Sequence, residues 1–212
     1  MSLLRSTFLL FFYLSLGLSY SAAQSPASGT DGFLCLQEMS DAWSFDMRYA
    51  TDNNFLDTAV YPCDRCYLRE EVALRLQEAN DSLRKLGLQL HFFDCYRPVA
   101  VQKHMWEILP DARYVANPYG NGSSHNRGAA VDLTLARLDG QLLDMGTDHD
   151  FFGERAHHAY NQLPEQVLAN RRLLKSIMEA FQFRSIKTEW WHYSYIPRSY
   201  PIIDFPVCGE QK

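Results

Sequence analysis

The chain has 212 residues, 47% of them hydrophobic and 14% aromatic, which is enough for one buried core and argues for one domain. Its formal net charge is -5 and no run of Lys and Arg occurs, which excludes a protein that works by neutralising nucleic-acid phosphates. Five cysteines, an odd number, leave at least one thiol unpaired within the chain, and spacing alone does not fix their connectivity.

Met1 to Ser6 carries one positive charge, Arg5, and Thr7 to Tyr20 is rich in Leu and Phe before the small residues Ser21-Ala22-Ala23. This pattern predicts a signal peptide over 1–23 and a mature chain from Gln24. The apolar run is short for a membrane span and polar residues follow it, so an uncleaved anchor is the weaker reading and no lasting membrane insertion is expected. Export permits disulfides. Cys63 and Cys66 form a lone Cys-x-x-Cys, with no second pair and no thioredoxin-like surroundings, which favours bridging or burial over zinc or redox work.

The clearest helix is Glu70 to Leu86, where Val72, Leu76, Ala79, Leu83 and Leu86 fall on one face and Gly87 supplies the stop. Leu88, Leu90 and Phe92 then alternate with Gln89, His91 and Phe93, predicting a strand up to Asp94. Pro98 suits the first turn of another helix through Val99, Met105 and Trp106. Pro110 to Gly128 is rich in Pro, Asn, Gly and Ser, the composition of a long loop, and His125 lies near its end. From Ala130 to Leu135, Val131, Leu133 and Leu135 face one way and Asp132 and Thr134 the other. Asp132 is thus expected on the polar side of a half-buried strand.

A further amphipathic helix is expected from Glu165 to Phe181 behind Pro164, and the aromatic stretch "TEWWHYSYI", residues 188–196, reads as a strand. Helices and strands mix without βαβ alternation. The expected fold is α+β, a single domain with a mainly antiparallel central sheet flanked by helices.

A catalytic zinc takes three nitrogen, sulfur or carboxylate ligands and keeps one open position. His125 and Asp132 offer two, and the third candidates are His192, the pair His157 and His158, and His149. His192 is favoured because Glu189 stands three residues before it, able to serve a water beside the metal without being a ligand. In a regular strand residues three apart face opposite ways, so this reading needs a bulge near Trp190 and Trp191.

Ser123, His125, Gly128, Ala130 and Asp132 match S-x-H-x-x-G-x-A-x-D, and Glu189, Trp191 and His192 match E-x-W-H. With these motifs the chain resembles the zinc D-alanyl-D-alanine metallopeptidases of the hedgehog/DD-peptidase fold, and most closely the D-Ala-D-Ala dipeptidase branch. "DMRYATDNNF" (46–55), "DCYRP" (94–98), "ERAHH" (154–158) and "DFP" (204–206) extend the resemblance over most of the mature chain, 24–212. It implies one zinc ion per chain held by His125, Asp132 and His192. Glu189 would be the general base and then the acid for the leaving amine, and Arg97 would stand beside the oxyanion. It also implies that Asp150, in "MGTDHDFF", binds the substrate amine, with His149 where the family has an aromatic, and that Ser123 touches the substrate carboxylate. The small partner would be a D,D-dipeptide.

The alternatives are a D,D-carboxypeptidase acting on peptidoglycan stems and, in a different class, a zinc-bound recognition module; Glu189 and Arg97 argue against the latter. His157 and His158 are read as surface or supporting groups, and Cys95 as a small buried hydrophobe. Asn80 and Asn121 fit the glycosylation pattern, but a glycan on Asn121 would crowd His125. The matches are therefore read as accidental and the compartment as a bacterial periplasm or exterior.

Overall fold

The computed structural model describes residues 32–208. The predicted signal peptide over 1–23 lies outside the described residues. Among these, no helix is long and apolar enough to cross a membrane.

Phe33–Cys35 (β1) pairs antiparallel with Tyr67–Arg69 (β3) as a small ribbon. The main sheet has five strands. Leu88–Asp94 (β4) and Ala130–Arg137 (β5) pair antiparallel at its centre, with Ser44–Phe45 (β2) parallel outside β4. His192–Tyr195 (β7) and then Phe183–Ser185 (β6) follow antiparallel on the other side. The α+β, largely antiparallel expectation therefore holds. The strands of β1, β2, β3 and β6 are two or three residues long, too short to show a period in the sequence.

The helices are Leu36–Met39 (α1), Glu70–Arg84 (α2), Val99–Ile108 (α3) and Glu165–Ala180 (α4). α2 stops where Gly87 takes φ +74, a left-handed conformation that suits glycine. One core joins Leu76 and Leu83 of α2, Leu174 and Met178 of α4, and Leu90, Phe92, Val131, Leu133 and Leu135 of the sheet. The alternation of β5 thus sends its aliphatic side chains to the helices and Asp132 and Thr134 to the opposite face.

That opposite face is not open to solvent. Seven of the eight β5 residues are buried, Asp132 and Thr134 among them. The half-buried strand expected from alternation is a central strand covered on both faces, with His125 from the segment before it and His149 from the segment after it packed against Asp132 on its polar side. The expected strand over 188–196 is also shorter. Only His192–Tyr195 is strand, and Glu189 to Trp191 form a bend before it. Glu189 and His192 therefore need no bulge to share a site. The register irregularity lies instead on β4, between Phe92 and Asp94, and it sets Asp94 opposite Asp132.

Two disulfides, Cys63–Cys208 and Cys66–Cys95, tie the ribbon to the C-terminal segment and to the turn after β4. Cys63 and Cys66 each bridge elsewhere rather than to each other. Cys95 is buried, as expected, but bridged to Cys66, and Cys35 is the buried thiol left over.

Candidate active site

Three donor atoms converge on the loop-covered face of the sheet. His192 and Asp132 are cross-strand partners, and His192 Nδ1 lies 2.9 Å from Asp132 Oδ1. His125 Nε2, from the turn before β5, lies 3.4 Å from the same oxygen and 3.2 Å from His192 Nδ1. All three residues are buried, and they form the one group of metal-ligand type found among the described residues.

The other ring nitrogen of each histidine is held. His125 Nδ1 donates to the Cys95 carbonyl at 2.7 Å, which leaves a lone pair on Nε2. His192 Nε2 lies 3.3 Å from Ser124 Oγ and 3.1 Å from Ser194 Oγ. Gly128 closes the His125 turn with φ +63, and a Cβ there would run into the Phe33 ring, so the motif position admits little but glycine.

These contacts fit a zinc ion. A tetrahedral zinc with ligands at about 2.0–2.1 Å needs donors roughly 3.3 Å apart, close to the observed triangle. Burial works against the charge on Asp132, but the neighbouring imidazoles of His125, His149 and His192 hold its carboxyl well below the usual range.

Arg97 is buried beside this triangle. Its Nη2 and Nε donate to Asp94 Oδ2 at 2.6 and 3.2 Å, and Nη1 donates to Gln102 Oε1 at 3.0 Å. Asp94 Oδ1 in turn accepts from Tyr61 Oη at 2.7 Å and from the Cys95 amide at 2.9 Å. Burial opposes the charge on Arg97, but Asp94 outweighs it, and the guanidinium stays ionised. N–H groups on Nη1 and Nη2 remain uncommitted.

Asp150 takes φ +57 on a loop pinned from behind, where Arg48 donates to Asp148 at 3.1 and 3.3 Å. Its Oδ2 accepts from Tyr49 Oη at 2.8 Å. Burial raises the Asp150 carboxyl above the ordinary range, with His149 opposing. Glu189 is likewise raised, by burial first and then by Asp132 and Asp150 against the pull of His192. Ser123 Oγ accepts from the His125 amide at 3.2 Å, leaving its own O–H to donate. His125, Asp132, His192, Glu189, Arg97, Asp150 and Ser123 all line one cleft of about 620 Å³.

The Peptidase M15 family, described as D-ala-D-ala dipeptidase, matches residues 29–207. The chain belongs to this family. It is similar to the D-alanyl-D-alanine dipeptidase of Escherichia coli, 37% identical over 74% of this chain and 82% of the relative. Those of Enterococcus faecalis and Enterococcus faecium are each 37% identical, over 81% and 83% of this chain and 95% and 98% of theirs.

In this M15 chain two stretches outside the two main motifs, 46–55 and 204–206, act as struts. Arg48 and Tyr49 of "DMRYATDNNF" hold Asp148 and Asp150. Asp204 of "DFP" accepts the Val99 amide at 2.9 Å at the start of α3, and Phe205 stacks on Tyr96 at 4.3 Å, which fixes the Arg97 segment. The candidates His157 and His158 stay out of the donor triangle; His157 faces the cleft, and His158 Nε2 is buried without a partner. His149, the other candidate ligand, stands behind Asp132 rather than in the triangle. Asp94, Ser124, Ser194 and Tyr49 were not singled out in the sequence, though Asp94 and Tyr49 sit inside quoted motifs.

Proposed function

We propose that the chain hydrolyses D-alanyl-D-alanine to two D-alanines at a zinc ion held by His125, Asp132 and His192. The observation that carries this is the convergence of a zinc-sized donor triangle, the Glu189 carboxylate, the Arg97 guanidinium and the Asp150 carboxylate on a single cleft. Bound there, zinc polarises a carbonyl and brings the pKa of a water to about 7.

The protein's own groups divide the remaining work. Asp150, steadied by Tyr49, takes the ammonium end of the dipeptide, and the Ser123 hydroxyl donates to the carboxylate end. Arg97, fixed by Asp94 and Gln102, turns its uncommitted N–H groups to the carbonyl oxygen as negative charge builds on it. Glu189 removes a proton from the attacking water. As the C–N bond breaks, it returns that proton to the leaving nitrogen.

The site is read as working outside the cytoplasm, in the periplasm or after secretion, on the D-alanine chemistry of peptidoglycan metabolism. The signal-like 1–23 and two disulfides in the mature 24–212 support this, since bridges persist in oxidising compartments. The test measures D-alanine release from D-Ala-D-Ala and from a pentapeptide ending in D-Ala-D-Ala, with and without a zinc chelator. Chelator-sensitive release from the dipeptide is expected; release from the pentapeptide alone would replace the reading with a D,D-carboxypeptidase.

A further inference from the structure

His149 lies outside the cleft lining, yet it touches two of the carboxylates that shape the cleft. Its side chain is 1% exposed and sits among the rings of Tyr49, Phe93 and Trp191, at centroid distances of 6.0, 5.0 and 5.4 Å. A ring that only filled this box could be phenylalanine. Both nitrogens instead face carboxylates: Nε2 hydrogen-bonds Asp132 Oδ2 at 3.4 Å, and Nδ1 lies 3.2 Å from Asp150 Oδ2, a close polar contact off the line of a hydrogen bond. Asp132 Oδ2 is the oxygen turned away from the donor triangle, whose members meet Oδ1.

The backbone aims the ring with care. The His149 amide donates to Asp148 Oδ1 at 2.8 Å, Arg48 holds that same carboxylate, and Trp190 Nε1 donates to Thr147 Oγ1 at 2.8 Å. The loop is thus fastened just before the imidazole, and the Tyr49 hydrogen bond to Asp150 fastens it just after.

We propose that His149 is a positioning residue that braces Asp132 through Nε2, so that one carboxylate oxygen faces the metal, and braces Asp150 through Nδ1, so that its carboxylate faces the substrate amine. One imidazole then couples metal affinity to amine recognition. The Asp150 half rests on the dipeptidase reading above; the Asp132 half needs only a metal in the triangle.

The two halves separate by substitution, because a glutamine amide reaches the place of Nε2 and an asparagine amide that of Nδ1. His149→Phe keeps the ring and loses both nitrogens, His149→Gln keeps the Asp132 contact, and His149→Asn keeps the Asp150 contact. Zinc affinity is read by competition with a chromogenic chelator, and KM and kcat are read with D-Ala-D-Ala. His149→Phe is expected to bind zinc about 10- to 100-fold more weakly and to raise KM about tenfold or more. His149→Gln is expected to recover the zinc affinity but not KM, and His149→Asn KM but not the affinity. Wild-type values of both in His149→Phe would make the residue a ring filler and overturn the proposal, as would equal loss of both in Gln and Asn. Should Phe not fold, the Gln and Asn pair decides. A wild-type protein that binds zinc but leaves the dipeptide intact would sink the dipeptidase reading, while the zinc titration still judges the Asp132 brace.

Discussion

Asp132 and His192 stand directly opposite each other on neighbouring antiparallel strands, and their side chains meet at 2.9 Å on the same face. Two of the three proposed ligands are therefore fixed by sheet register rather than by loop conformation, and only His125 depends on a turn. Asp132→Ala and His192→Ala are expected to lose stoichiometric zinc while keeping a native circular dichroism spectrum, and to lose nearly all turnover. Metal analysis of the purified variants checks this, and full zinc in either would remove that residue from the ligand set.

Glu189 lies on the bend just before β7, lines the cleft, and is not in the donor triangle. Glu189→Gln keeps its shape and cannot take a proton. The expected outcome is unchanged zinc content with kcat lower by roughly 10²- to 10⁴-fold, the range for loss of a general acid-base group. Turnover near the wild-type level would assign the proton transfers elsewhere.

The Asp94–Arg97 pair is buried and joined to Tyr61, Gln102 and the Cys95 amide. Removing one partner leaves a buried charge without compensation, at a cost of about 3–5 kcal/mol. Asp94→Ala is thus expected to lower stability by that order and also kcat, because Arg97 loses its anchor. Arg97→Lys keeps the charge but not the two-pronged contact, and about 10²-fold lower kcat is expected with zinc retained. Denaturant titration beside steady-state kinetics separates the two effects.

The donor triangle and the place of Glu189 beside it were legible because each part carries a local signal. The polar residues of an otherwise aliphatic β5 mark Asp132, the Gly128 turn marks His125, and Glu189 and His192 stand close together in sequence. What supports them was not legible, since those contacts cross long distances: Tyr61 reaches Asp94, Arg48 reaches Asp148, and Cys63 bridges to Cys208. Aromatic density at 188–191 suggested a strand, but Trp190 and Trp191 are buried in a bend, and burial alone accounts for their hydrophobicity. The coverage of β5 on its polar face depended on loops with no period to read.

Cys66–Cys95 closes the chain across 29 residues and holds the turn whose carbonyl orients His125. Loop-closure entropy for that span corresponds to roughly 3–4 kcal/mol. Cys66→Ser with Cys95→Ser is expected to lower stability by up to that amount and to weaken zinc binding through a looser His125. Denaturation midpoints and chelator competition measure the two consequences, and unchanged zinc affinity would show that the turn holds its shape without the bridge.

His91 gives the fold a defined response to acid. It is buried on β4, Ser44 Oγ lies 2.7 Å from Nδ1, and Nε2 has no partner among the described residues. Burial, with Arg48 adding and Asp46 opposing, lowers its pKa from 6.5 to about 4. His158, with Arg171 and Lys175 near it, is lowered by burial to about 4 as well. A depressed histidine is neutral in the folded state while the unfolded chain takes up a proton. Between pH 6.5 and about 4 the unfolded state therefore binds more protons, and stability falls as pH drops through this window, levelling off below it. For His91 the loss is at most about 3 kcal/mol. Loss of zinc in acid also destabilises the protein, so the informative quantity is a difference between proteins that share the same metal site. His91→Gln, which cannot charge, is expected to lose less stability than wild type between pH 7 and pH 4.5 in urea titrations at equal zinc. Parallel curves for the two proteins would mean that His91 charges in place, with a carboxylate such as Asp46 turning to meet it.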